Sequence, residues 1–154
     1  MIGFYQASEK LFNVLNDHAK VNKVTLGDLA DVDQQKQNIY PLAHVIPDTA
    51  RQPGKTMVYG FTVLLMDLVD VNKEEARDQV EQFYGTDNLQ DIWHETLNTL
   101  VECIEDFRRG DSYDDGYHIE GELQYEPFYD RFENNLAGWA VNINITVGYG
   151  QAIC

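Results

Sequence analysis

The segment Leu136-Ala137-Gly138-Trp139-Ala140-Val141-Asn142-Ile143-Asn144-Ile145-Thr146-Val147 decides the fold class. Trp139, Val141, Ile143, Ile145 and Val147 alternate without a break against Ala140, Asn142, Asn144 and Thr146. Successive side chains on a strand point to opposite faces, so this is a strand with one apolar face and one small polar face. The polar face carries amides and hydroxyls and no ionised group. Such a face suits an ordinary half-solvated antiparallel strand. It also suits a sheet packed on polar neighbours or lining a narrow, wet space.

Other strand patterns lie upstream. Met57 to Asp70 is the longest apolar run, with Met57, Tyr59, Phe61, Val63 and Leu65 on one face and Val58, Gly60, Thr62, Leu64 and Met66 on the other. A strand apolar on both faces needs cover on both, either inside one domain or from another subunit. Gly60 permits a close backbone approach or a bulge. Ile39 to Ile46 is β-rich and bounded by Pro47, and Pro41, which lacks a ladder donor, belongs near its start or on an edge. Ile119, Gly121, Leu123 and Tyr125 alternate with His118, Glu120, Glu122 and Gln124, which predicts a strand with one charged face. Val24 to Leu29 reads as a short extended piece with a break at Gly27.

Helical periodicity occurs in two clear places. Phe4, Ala7, Leu11, Leu15 and Ala19 recur at three- and four-residue spacing, and the helix ends near Asn22. Leu89, Ile92, Trp93, Thr96, Leu97, Leu100, Ile104 and Phe107 form a longer stripe, capped by Asp87 or Asn88 and stopped at Gly110. Arg108 and Arg109 sit where a helix dipole favours cations. A short acidic helix carrying Ala76, Val80 and Phe83 is expected within residues 71–85, and polar turns at 31–38 and 111–116. The order of elements predicts an α+β domain spanning 1–154: a mainly antiparallel sheet of four to five strands with two main helices packed on it. Polar or aromatic connections near 48–56 and 126–135 are expected to project as loops.

A chain of 154 residues, 44% hydrophobic, can bury a substantial core. Its outlying property is charge: 26 acidic against 11 basic residues give −15. Binding a phosphate backbone needs clustered Lys and Arg to release counterions, so this balance disfavours direct DNA binding while letting DNA pass nearby. Cys103 reads as a small buried hydrophobe and Cys154 as a free thiol on a loose tail, with neither a disulfide framework nor metal spacing. The N-terminus has no basic segment followed by an apolar one, and no run approaches the length of a membrane span. An aqueous, reducing interior is the expected setting.

Chemical motifs are sparse. His18, His44, His94 and His118 are scattered, and His94-Glu95 directs its two side chains to different sides of a helix. Gly54-Lys55-Thr56 echoes the end of a phosphate-binding loop, but the position of the earlier glycine holds Thr49 and a strand follows. Glu120, Glu122, Glu126 and Asp130 could supply an acid/base pair if they converge, which defines a small acidic hydrolase as one alternative. The aromatic piece Tyr125 to Phe132 could serve a carbohydrate- or small-ligand-binding module, or anchor a protein interface, where Tyr, Phe and Arg concentrate.

Ile39-Tyr40-Pro41-Leu42-Ala43-His44-Val45, then Val58 to Asp67, a long helix, Phe128-Tyr129-Asp130-Arg131-Phe132 and Leu136-Ala137-Gly138-Trp139 with its alternating strand resemble neck and tail proteins of tailed bacteriophages. These include tail-terminator and tail-completion proteins and ring proteins of crAss-like phages. The resemblance implies a structural virion protein, assembled in the host cytoplasm, that forms a six- or twelve-fold homo-oligomeric ring in the neck or tail. It implies adjacent portal, neck or tail proteins as partners, DNA passing through without specific binding, no membrane, no enzymatic activity and no cofactor. The candidate interface residues are Arg51 and Lys55 in the first loop, Tyr129, Asp130 and Arg131 in the second, and Trp139, which also reads as core. Arg131 could fork onto an acidic neighbour or pair within its own chain with Asp130 or Glu126.

Overall fold

A computed structural model describes residues 3–27, 40–69, 89–109, 116–119, 121–130 and 136–148. Two helices, α1 (Phe4–Asp17) and α2 (Leu89–Arg109), accompany six strands: β1 (Lys23–Leu26), β2 (Leu42–Arg51), β3 (Thr56–Leu68), β4 (His118–Ile119), β5 (Tyr125–Asp130) and β6 (Leu136–Gly148). The fold is α+β, with one strand more than the expected maximum. The sheet order is β1-β2-β3-β6-β4, and β5 also pairs with β6. Pairing is antiparallel throughout except between β1 and β2, which run parallel.

The alternation in the last strand translates directly into packing. Val141, Ile143, Ile145 and Val147 join Tyr59, Phe61, Val63 and Leu65 of β3 and Ala43 and Val45 of β2 in one core, closed by Ala7, Leu11 and Leu15 of α1 and by Leu100, Cys103, Ile104 and Phe107 of α2. Helix α2 buries or half-buries the stripe its periodicity marked, whereas α1 buries Ala7, Leu11 and Leu15 of its stripe and leaves Phe4 and Ala19 exposed. The α1 N-terminus is secured by the Gln6 side chain, which accepts a bond from the Gly3 N–H at 3.1 Å. In α2, Asp91 lies in the first turn and Arg108 and Arg109 in the last, each on the side the helix dipole favours. The helix α1 ends at Asp17, earlier than Asn22, because the His18 N–H turns back to the Leu15 carbonyl.

The central strand is β3, paired along its whole length with β6 from Thr56↔Gly148 to Leu68↔Leu136. Its second face is buried in the single chain at one end, where Leu64 and Met66 cluster with Leu42 and Leu136. Of the two ways to cover this strand, the structure takes burial within the domain for that portion.

Three strands depart from the sequence reading. Strand β2 runs through Pro47 to Arg51, because β1 pairs only Leu42 to Val45 and Pro47 lies where β2 has no neighbour on that side. A register shift between Pro47 and Ala50 absorbs the irregularity. Thr49 then sits over Gly60, where an added Cβ would lie 2.6 Å from its hydroxyl, so the close approach expected at Gly60 is real. The predicted strand around 119–125 is reduced to His118–Ile119, and Gly121, at φ 90°, turns the chain out of the ladder. The aromatic connection becomes β5 from Tyr125 to Asp130, since every residue in it finds a partner on β6. The expected turn at 31–38, the acidic helix within 71–85, residues 111–115 of the other turn, Arg131 and Cys154 lie outside the described residues.

One histidine is structural. His44 is fully buried, with Nδ1 2.6 Å from the Thr25 hydroxyl and Nε2 3.0 Å from the Gly27 carbonyl. A carbonyl only accepts, so Nε2 carries the proton and Nδ1 accepts from Thr25. The ring thereby ties the short parallel strand β1 to β2. His44→Leu is expected to cost about 1–3 kcal/mol for each of the two groups left without a partner, read as a lower urea midpoint.

Candidate functional site

The end of β2 and the turn that follows form an exposed arm along the sheet edge, beyond the reach of β1, while β3 itself stays paired with β6. Residues Leu42 to Val45 of β2 are buried, whereas Pro47 to Arg51 are all exposed. The turn that follows, residues 52–55, is exposed throughout and reverses at Gly54, whose φ of 72° suits a residue without Cβ. The Thr56 hydroxyl braces it by donating to the Pro53 carbonyl at 3.0 Å. The projecting element is thus shorter as a loop than 48–56, and stiffer, because most of it is paired strand.

Arg51 and Lys55 occupy this tip. The chain is short of cations, and the other described ones are engaged: Lys20 with Glu95 at 2.9 Å, Arg108 and Arg109 with Glu105 at 3.5 and 3.0 Å, and Lys10 and Lys23 in further interactions. Among the described residues, Arg51 and Lys55 are the cations with no partner. Pro47, the register shift and these charges are also what keeps an open strand edge from pairing indiscriminately.

Beside the arm lies the outer sheet face. Asn142 and Asn144 of β6 are exposed and Thr62 and Thr146 half-buried, with the Thr62 hydroxyl donating to the Asn142 amide oxygen at 2.6 Å. The uncharged stripe read from the sequence is therefore a real surface on the molecule. On the opposite face, which the helices cover, the Phe4 ring, 44% exposed, stacks on Phe61 at 5.6 Å and meets Tyr59 edge-on at 5.9 Å, and Tyr5 is exposed beside it in the chain.

The second group of candidates is held differently. Tyr129 is half-buried against Val69, Leu89, Ile92 and Ala137. Asp130 ends β5, opposite Leu136. Trp139 is half-buried, and its indole N–H donates to the Trp93 carbonyl at 2.8 Å, while the Trp93 indole donates to the Phe128 carbonyl at 3.2 Å. These two bonds rivet α2 to β6 and β5, which gives Trp139 a job inside the chain. The structure brings Arg51 and Lys55 together on the arm and leaves Tyr129, Asp130 and Trp139 on the β5–β6 pair.

Sequence reading did not single out the cavity at the other end of β3. It measures about 310 Å³ and is lined in part by Pro41, Leu65, Asp67, Glu95, Thr96 and Thr99. None of the described side chains from Tyr125 to Tyr129 lines it. One Asp67 oxygen accepts from the Leu68 N–H at 2.8 Å, and no other partner for that carboxylate occurs among the described residues. Burial pushes its pKa above the ordinary 3.8, with the Leu68 N–H pulling part of the way back. The signal in the sequence was an acid inside the longest apolar run, followed by Leu68 and Val69.

A carboxyl whose folded pKa lies above its unfolded value holds its proton more tightly in the fold. Its charge therefore penalises the fold at neutral pH, and the penalty fades as pH falls through the folded value toward 3.8. Asp67→Asn is expected to raise Tm at pH 7, with the gain over wild type shrinking as the pH approaches 4. A Tm at or below that of wild type at pH 7 contradicts this.

Other reactive groups are muted. The Cys103 thiol is pushed up to about 12, first by burial and then by the nearby Asp106 and Glu102 carboxylates, so it stays protonated and inert at neutral pH. Among the described residues, no three His, Cys, Asp or Glu side chains are placed to hold a metal ion, and no helix is long and apolar enough to cross a membrane. No family model and no curated protein matches the chain.

Proposed function

We propose that this chain is a structural virion protein of a tailed bacteriophage, one that assembles into a closed ring in the neck or tail through which DNA passes. The observation that carries the reading is the arm: a paired, exposed strand extension ending in two cations without partners among the described residues, on a chain of net charge −15. An arm of this kind contributes nothing to its own core. It fits a contact in which one copy reaches onto the next, the head-to-tail geometry that closes a ring.

The uncharged stripe of Asn142, Asn144, Thr62 and Thr146 supports the same reading, because such a face can be covered by a neighbour without stranding a buried charge. The acidic balance suits a channel wall, since like charge keeps DNA sliding rather than bound. A six- or twelve-fold ring multiplies that charge by the copy number.

Peptide mass spectrometry of purified particles tests the assignment. The expected result is this chain at six or twelve copies for each portal ring. Mature, infectious particles that lack it, or a purified monomer that turns over a substrate, overturn it.

A further inference from the structure

We propose that the ring contact is made by the Arg51–Lys55 tip of one copy seated in the Asp67 cavity of the next. This rests on the ring reading above and names the surface that would close it.

The two partners sit at opposite ends of one strand. Lys55 immediately precedes β3 and Asp67 is its penultimate residue, so the rise of an extended chain separates them by roughly 35–40 Å. No fold of a single copy can bring tip and cavity together without dismantling the central strand. Two features that cannot meet in one copy, but complement each other in charge, define a head-to-tail contact.

The chemistry is matched on both sides. At the cavity, Lys20 and Glu95 neutralise each other at 2.9 Å, which leaves Asp67 as the uncompensated charge facing the space. Its carboxylate is partly desolvated and has an oxygen without a partner among the described residues. Leu65 and Pro41 supply apolar wall for the methylene stem of a lysine, which buries its stem while its charge finds an acceptor. On the tip, Arg51 and Lys55 are the described cations that lack such an acceptor.

Asp67 thereby acquires a reason to exist. Its charge disfavours the isolated fold at neutral pH, yet a cation from a neighbour would be stabilised by that same desolvated carboxylate. A purely structural acid has no such division between the single copy and the assembly.

The test joins amines to carboxylates in direct contact with a water-soluble carbodiimide, applied to the concentrated chain and to particles containing it, followed by peptide mapping. The expected result is a Lys55–Asp67 or Lys55–Glu95 link in bands of two or more chains. In a second measurement, Arg51→Glu/Lys55→Glu and Asp67→Lys each fail to assemble alone, and assembly returns when the two are mixed, because each then meets its opposite charge. Asp67→Asn gives a third readout: thermal stability of the single copy is kept or raised while assembly weakens at least tenfold. Ring-sized bands whose links join other residues, with assembly indifferent to the arm charges, overturn this contact and leave the ring standing. A chain that stays monomeric in solution and is missing from particles overturns both. Should Asp67→Lys fail to fold, the arm variant and the cross-link map decide, since Arg51 and Lys55 are exposed and bear no load in the fold.

Discussion

Gly138→Ala is expected to abolish folding, or to lower stability by more than about 4 kcal/mol, the range reserved for changes the structure cannot relax around. A Cβ at Gly138 would lie 1.8 Å from the Leu65 carbonyl oxygen, 2.8 Å from its carbon and 2.9 Å from the Met66 Cα. All three are backbone atoms, so no rotamer change relieves the overlap. Moving the strands apart would break the register that pairs β3 with β6 over their entire lengths, and with it the core on one side and the Leu42, Leu64, Met66 and Leu136 cluster on the other. The effect reads out as loss of a cooperative urea transition. An alanine variant with an unchanged midpoint contradicts the placement of β6 against β3.

Phe107→Ala is the second large change. Phe107 is fully buried near the C-terminus of α2, and its ring meets Tyr117 edge-on, with centroids 6.1 Å apart at 75°. Removing it deletes core volume and an aromatic pair that links the helix to the chain entering β4. The expected cost is about 3–5 kcal/mol, with the urea midpoint lowered and the slope unchanged. Phe107→Leu, which keeps most of the volume, is expected to lose much less. A loss under about 1 kcal/mol for the alanine variant would place α2 elsewhere on the sheet.

Where the sequence was legible, a single physical rule governed the segment. The stripe from Leu89 to Phe107 and the alternation from Trp139 to Val147 each follow one period, and each became the expected element with its apolar side in the core. The reading lost its way where tertiary pairing overrode local signals. Pro47 reads as a strand end, yet β2 passes through it, because only the ladder to β3 is required there. The aromatic connection from Glu126 reads as a loop, yet β6 supplies an edge for it to join. The parallel pairing of β1 with β2 depends on His44 bridging to Thr25 and Gly27, a contact between segments that no local pattern specifies.

The candidate surface was legible in place more than in form. The polar connection after Pro47 pointed to Arg51 and Lys55, and the charge balance made any cation there conspicuous. That these two lack partners among the described residues, while Lys20, Arg108 and Arg109 have them, is a property of the folded chain alone. Asp67 became significant only when the segment after α1, together with Pro41, α2 and β3, closed a space around it.

The central claim is that copies of this chain cover one another around a channel. Electron cryo-microscopy of the neck region of particles that carry it tests this most directly, because it fixes symmetry, position and contacts together. A closed six- or twelve-fold annulus of this fold is expected between portal and tail, with the arm of each subunit lying on its neighbour. Density for an isolated copy outside the channel axis, with its arm and its Asn142–Asn144 face bare to solvent, would contradict it.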